Sequence, residues 1–443
     1  MSAHGPDGPQ PLWALVPAAG RARYLRRAAT AILDEVEALA DRLARETGQP
    51  RTEALLAELL PSVSGLHDLA DDGPDALRER RLGRIPALRA GRRSVLLQAP
   101  VGVVGVRGGS SSPWAEPVLE AGAALLAGNG VVLATPVSEP IRAAFVHGGV
   151  PEELIAAAGE DADLGACARV VDTRPPDHKG TMLVLDGAPL QRTVSGALWA
   201  GFAGAGRHRA AVGRMVVVPS VAEPLLAALA EGARRLRPGD PRRPETEIGP
   251  LGSPEQRERV QELVEAAVAD GATLLCGGPL ELPAAGAFYA PAVLRGVAPD
   301  ARILHEPVPG PVLAVVEAGS EQEAITLARG APAVSVWAGD RGLGERLART
   351  LGAELAWVDE HGHNLPGASV RVAGHVVVRR LESQPTRLRS ARWLPYDPAL
   401  VRAATASARL VHGRESDRLG VLRRGAVPLA RTAVRLAREA LER

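Results

Sequence analysis

Aromatic side chains are scarce, with Phe, Trp and Tyr together making 3% of the 443 residues. That argues against a stacking platform for bases or sugars. Cysteine is nearly missing: Cys167 and Cys276 are the two thiols. Two cysteines build no disulfide framework, and the usage fits a reducing cytoplasm, the expected compartment. An excess of either charge is missing too. The formal net charge of +1, from 52 basic and 51 acidic residues, gives no electrostatic case for nucleic acid or an anionic membrane as partner. Lysine is reduced to one residue, Lys179, so arginine carries the positive charge. With the abundance of Ala, Gly and Pro, this suggests a G+C-rich bacterial genome, which is a coding bias and not a function. No uncharged apolar run reaches the roughly 18 residues of a membrane span. Residues 1–11 are polar and rich in Pro and Gly. They show no signal-peptide pattern and are expected to be disordered.

What is present is an ordinary globular composition, 46% hydrophobic and 23% charged, in a chain long enough for two or three domains. Leu25, Ala28, Ile32, Val36, Leu39 and Leu43 recur at three- and four-residue steps, predicting a helix over 18–46 that Gly48-Gln49-Pro50 stops. A second helical pattern covers 52–60. Residues 84–98 alternate around Gly91 and read as a β-hairpin. A buried strand follows at 99–106, then a helix at 116–127, a turn at Asn129-Gly130 and a strand at 131–133. This order implies a parallel sheet with covering helices. Helices are also predicted at 253–270 and 343–351, a strand within the basic run 376–389, and a polar, Arg-rich helical tail over 392–443. No internal repeat is found.

Several phrases then stand in a telling order. They are Pro100-Val101-Gly102-Val103-Val104-Gly105-Val106, Pro113-Trp114, Gly128-Asn129-Gly130-Val131-Val132-Leu133, Glu247-Ile248-Gly249-Pro250-Leu251 and Phe288-Tyr289-Ala290-Pro291. Residues 195–202 form a helix-like run into Gly204-Ala205-Gly206-Arg207-His208-Arg209, followed by the apolar strand Met215-Val216-Val217-Val218. Over roughly residues 12–412 the chain resembles the aldehyde dehydrogenase superfamily. The resemblance implies an α/β fold: N-terminal helices and a reduced Rossmann-like parallel-sheet cofactor domain over 12–187, and a second α/β domain over 188–375. An interface strand and tail follow over 376–443. The 84–98 hairpin would be an oligomerisation arm, so the chain is expected to pair with itself as a dimer or higher oligomer.

In that family a thiolate adds to the aldehyde, hydride passes to NAD or NADP, and water releases the acid. A backbone amide and an Asn amide hold the oxyanion, and a Glu activates the water. The resemblance places the Asn at Ala115, the Glu at Val184 and the Cys at Arg209. It places the adenosine-ribose Lys at Ala134, and the nicotinamide-ribose Glu and its neighbouring Phe at Pro307 and Pro309. None of these changes is conservative. Arginine stays protonated and cannot attack a carbonyl. The helix that opens with Gly-Ser before the strand at 181–184 is missing as well, taking with it one helix terminus near the pyrophosphate.

Substitutes are few. Cys167 and Cys276 read as buried or structural thiols. His208 reads as a structural imidazole. His361 and His363 beside Asp359 and Glu360 match no standard zinc spacing, so no metal is expected. Gly108-Gly109-Ser110-Ser111-Ser112 lacks the lysine of a P-loop and reads as a loop insertion rather than a phosphate cradle. Arg207, His208 and Arg209 are the candidate anion-binding group, for a small carboxylate or phosphate. The favoured account of Arg209 is a side chain turned to solvent or paired internally, with an acid such as Glu116. The expectation is a catalytically inactive or strongly impaired relative with no cofactor, acting as a binding or structural subunit, alone or beside an active aldehyde dehydrogenase. The alternative is an active NAD(P)-dependent aldehyde dehydrogenase with non-standard site residues.

Overall fold

The computed structural model describes residues 10–78, 80–82, 94–96, 98–174, 179–208, 210–284, 286–362, 371–372 and 380–383, with 398, 401–402, 405, 409 and 420. Two short strands, β1 (Arg80–Leu82) and β2 (Ser94–Leu96), pair antiparallel with Arg80 opposite Leu96. They form the arms of the expected hairpin, whose tip lies outside the described residues. The first main sheet contains β3 (Val103–Arg107), β4 (Gly130–Ala134), β5 (Ile155–Ala158) and β6 (Arg169–Asp172). All four are parallel, in the order β5-β4-β3-β6. Their runs are dominated by Val, Ala, Leu and Ile, as expected where helices and loops cover a parallel sheet.

The second sheet holds β7 (Gly180–Val184), β8 (Val212–Val217), β9 (Thr273–Leu280), β10 (Phe288–Arg295), β11 (Val312–Glu317), β12 (Ala333–Trp337), β13 (Leu355–Val358) and β14 (Arg380–Ser383). Its order is β14-β13-β12-β7-β8-β11-β10-β9, parallel except for β9, which closes one edge antiparallel to β10. The architecture is therefore the expected α/β one, with a parallel sheet and a second, mixed sheet. Residues 380–383 of the basic run form the strand at the other edge.

Four sequence expectations need correction. β7 falls inside the range expected for the first domain, 12–187, yet hydrogen-bonds between β12 and β8 in the second sheet. Apolar alternation marks a strand but not the sheet it joins. The long helix over 18–46 is two helices, Ala18–Asp34 and Val36–Thr47, broken at Glu35 and ended by Gly48 at φ 75°. The helical pattern at 52–60 is no separate short helix. A π-helical turn, Ala54–Leu59, runs on into Leu60–Ala76. Residues 10 and 11, expected to be disordered, begin a helix, Gln10–Leu15; residues 1–9 and nearly all of 392–443 lie outside the described residues.

The N-terminal helices pack on the helix Ala115–Leu126, which covers the first sheet. Arg21 closes the far end of that helix. Its guanidinium donates to Leu126 O at 2.7 Å and Ala14 O at 3.1 Å, and Trp13 Nε1 donates to Leu125 O at 2.8 Å. A cation on the last carbonyls satisfies groups that a helix leaves open.

Candidate functional site

The site grows from the end of the helix Leu190–Phe202. After Phe202 the chain makes a tight turn, Ala203–Gly206, with Gly204 at φ 62° and Ala205 at φ 52°. A left-handed alanine costs energy that surrounding contacts must repay. Those contacts are specific. Gly204 N donates to Glu53 Oε2 at 2.9 Å. Arg207 folds back on the turn, its Nε donating to Gly204 O at 3.3 Å and its Nη2 to Pro250 O at 3.1 Å. Gly206 lies so close to Gly310 that a Cβ there would sit 2.4 Å from the Gly310 oxygen. Only glycine fits that approach.

Glu53 comes from the other end of the chain, and the π-turn explains how. Glu53 and Glu58 are five residues apart. In an α-helix that spacing turns side chains about 140° from one another. A π-turn bonds i to i+5 and brings them toward one face. Both carboxyls are buried, at 1% and 0% exposure. Gln49 Nε2 donates to Glu53 Oε1 at 2.8 Å. Glu58 Oε2 accepts from Trp114 N at 3.0 Å and Ala115 N at 2.7 Å. Trp114 is fixed in turn by Nε1 donating to Ser62 Oγ at 3.1 Å. Burial raises both carboxyls, Glu58 to about 8, with the neighbouring Glu53 adding to the effect on Glu58. Burial also lowers the Arg207 guanidinium, which Glu53 partly restores.

Beside this cluster, Gly48, Gln49, Pro50, Ser110, Gly204 and Arg207 are among the residues lining a cavity of ≈ 10 Å³, room for about one water. Lys179 Nζ donates at 2.6 Å to Gly310 O, the carbonyl that abuts Gly206 of the turn. Burial and Arg207 lower this amine to about 7. Behind the turn, His208 is buried with its ring 5.1 Å from Trp199 and 6.4 Å from His361. His361 Nε2 donates to Ala210 O at 2.7 Å, and burial drops this imidazole to about 4.

A family model described as "Aldehyde dehydrogenase family" matches residues 7–167 and 178–374. The chain belongs to the aldehyde dehydrogenase family. Among similar proteins, a 4,4'-diapolycopene aldehyde oxidase of Methylomonas sp is 30% identical over 77% of this chain and 70% of its own length. A succinate-semialdehyde dehydrogenase [NADP(+)] of Deinococcus radiodurans is 29% identical over 82% of this chain and 83% of its own. Among solved structures, the NAD+ complex of an aldehyde dehydrogenase from Bacillus cereus aligns with TM-score 0.71 and 25% identity, covering 80% of this chain and 78% of that one.

Within this dehydrogenase fold, the positions singled out in the sequence fall as follows. Ala115 begins the helix on β3's side of the turn, its methyl buried and its amide held by Glu58. Val184 ends β7, buried between Val217 and Trp337. Arg207 and His208 directly follow the turn. Arg209 and His363 lie outside the described residues. Ala134 ends β4 and is fully buried; in the loop before β11, Pro307 is exposed and Pro309 half-buried. Glu116 pairs with Arg371, 255 residues downstream, whose Nη2 donates to it at 2.8 Å and which also binds Glu120; the expected Arg209–Glu116 contact falls outside the described residues. Glu360 pairs with Arg192 at 3.5 Å, and no cluster of metal-binding side chains occurs among the described residues. Gly108 N bonds Ala134 O at 3.0 Å, so that amide is not free for a phosphate.

Neither thiol reaches the turn. Cys167 lies just before β6, against Gly105 of β3. Cys276 lies on the edge strand β9, its Sγ 3.6 Å from Pro291 O. Burial raises both thiols, which favours the unreactive protonated form. Sequence reasoning missed Glu53, Glu58, Gln49 and Lys179. The signal for the glutamates was their place within an apolar run, Ala54-Leu55-Leu56-Ala57-Glu58-Leu59-Leu60. No helix among the described residues is long and apolar enough to cross a membrane.

Proposed function

We propose that this family member does not carry out ordinary aldehyde oxidation and serves as a binding or structural subunit, paired with itself or with an active relative in the cytoplasm. The observation that carries this reading is the state of the turn itself. Its left-handed backbone is held by Glu53 and Arg207, its adjoining cavity is ≈ 10 Å³, and both cysteines belong to other elements. Arg209 at the expected nucleophile position, Ala115 at the oxyanion position and Val184 at the base position support the same conclusion. The cavity beside Arg207 has room for about one water, which disfavours the small carboxylate or phosphate considered for Arg207, His208 and Arg209.

The residues present do not fit a nicotinamide dinucleotide. In open parallel sheets such a ligand sits outside the carboxyl ends of the strands, where the strand order reverses. Here that point is between β3 and β6. Arg107, the last residue of β3, donates to Glu160 O at 2.6 Å and Ala162 O at 2.7 Å, lacing the loop after β5 to the strand end. Thr173 N, just after β6, bonds Arg107 O at 2.8 Å. Ala134, Pro307 and Pro309 offer no side-chain donor or acceptor to a ribose.

The competing reading, an active NAD(P)-dependent enzyme with unusual site residues, draws on the relatives with NADP+ and NAD+ in their names. Two measurements separate them. Calorimetric titration with NAD and NADP is expected to show no binding. An aldehyde panel with either dinucleotide is expected to give no reduced nicotinamide above the protein-free rate. Saturable dinucleotide binding together with aldehyde-dependent reduction would overturn the proposal.

A further inference from the structure

We propose that Lys179 is a carbonyl-capturing group, whose ε-amine condenses reversibly with small aldehydes beside the Ala203–Gly206 turn. The inference rests on family membership for the substrate class, and not on the loss of oxidation argued above.

The amine is placed by three glycines. The Lys179 stem lies across Gly213 of β8, where a Cβ would meet its Cδ at 2.8 Å and its own Cβ at 2.9 Å. Any larger residue would displace the stem. Its Nζ then reaches Gly310 O at 2.6 Å, the same carbonyl that abuts Gly206. Gly180, the next residue, is pinned by its N–H to Ala211 O at 2.7 Å, which fixes where the stem starts. The residue as a whole is partly exposed, while its Nζ is held on the Gly310 carbonyl in a part-buried contact. Gly310 takes one N–H of the amine and leaves the lone pair free. Burial and the neighbouring Arg207 suppress the charged form, the two devices by which proteins make a lysine nucleophilic near neutral pH. No other side chain of this type exists in the sequence.

The step balances without a redox partner. The neutral amine adds to the carbonyl carbon, a proton moves from nitrogen to oxygen, and water leaves to give the imine. Water reverses it. An N–H of the protonated imine can keep the Gly310 carbonyl as its acceptor. An aldehyde held this way is removed from solution and returned unchanged, which suits a binding subunit.

The test uses the whole, unmodified chain. Propanal and cyanoborohydride are added near pH 7, and peptides are mapped by mass spectrometry. Reductive propylation of Lys179 is expected about 100-fold faster than that of Nα-acetyl-lysine, because a larger share of the amine is neutral. The advantage is expected to vanish in urea. In Gly213→Ala the displaced stem is expected to slow Lys179 labelling at least about 10-fold, with labelling of the chain's α-amine unchanged. Lys179 left unmodified, or labelled no faster folded than unfolded, would overturn the proposal. Either result leaves the dinucleotide and oxidation measurements untouched, so the two proposals fail separately.

Discussion

Charge is buried in two different ways in this molecule. Around the helix Ala115–Leu126, Arg371 sits between Glu116 and Glu120 with its side chain 1% exposed, so each buried acid has an opposite charge in contact, while burial still raises the Glu120 carboxyl. Around the Ala203–Gly206 turn, the buried groups are held mainly by backbone. Glu58 accepts two amides, Lys179 donates to a carbonyl, and both are shifted toward their neutral forms. Pairing sets an opposite charge against each buried group and makes each partner indispensable. Backbone bonding lets the charge go and leaves groups whose protonation changes near neutral pH.

The largest expected effect comes from breaking the paired site. Arg371→Ala strands two buried carboxylates and should cost about 3–5 kcal/mol in a denaturant titration. A loss below about 1 kcal/mol would mean that the pair is already solvated. The backbone-held site should respond next. Glu58→Ala leaves the Trp114 and Ala115 amides without an acceptor and opens a void, costing about 3 kcal/mol. Glu58→Gln keeps an acceptor and the neutral form, and should cost less than about 1 kcal/mol at neutral pH.

The same pair of proteins sharpens the contrast through pH. The folded Glu58 carboxyl holds its proton up to about 8, against an ordinary value of 4.5. Its contribution is therefore fully present below about pH 4.5 and lost as pH rises toward 8. The stability difference between the native chain and Glu58→Gln should shrink or reverse over that interval. A flat difference would show that Glu58 is ionised when folded. The smallest effect should be at the surface. Arg302 is half-exposed and bonds Glu306 at 2.7 Å and Glu262 at 3.1 Å. Arg302→Ala should cost less than about 0.5 kcal/mol, and high salt should erase even that.

Much of the scaffold was legible in the sequence because local periodicity and punctuation are local facts. The helix expected at 253–270 is Pro254–Ala269, capped by Ser253 as its side chain foretells. The strand at 131–133 is the body of β4. What could not be read is set by distant partners. β7 looks like any apolar strand, and its membership in the second sheet depends on β8 and β12. The same holds at the site. Arg207 was visible as a suspicious cation, but its counterpart Glu53 lies 151 residues from the turn it supports. Glu53 and Glu58 stand five residues apart in a helical pattern, and it is the π-turn that brings both toward one buried face.

Arg371 also carries a lesson about how the chain is made. The helix that bears Glu116 and Glu120 leaves the ribosome long before its cation, which follows 251 and 255 residues later. At roughly 5–20 residues per second, the interval is on the order of 10–50 s. Throughout synthesis the first layer must wait with two acids facing an unfilled seat, and a transcript cut short before codon 371 yields a product that can never complete it.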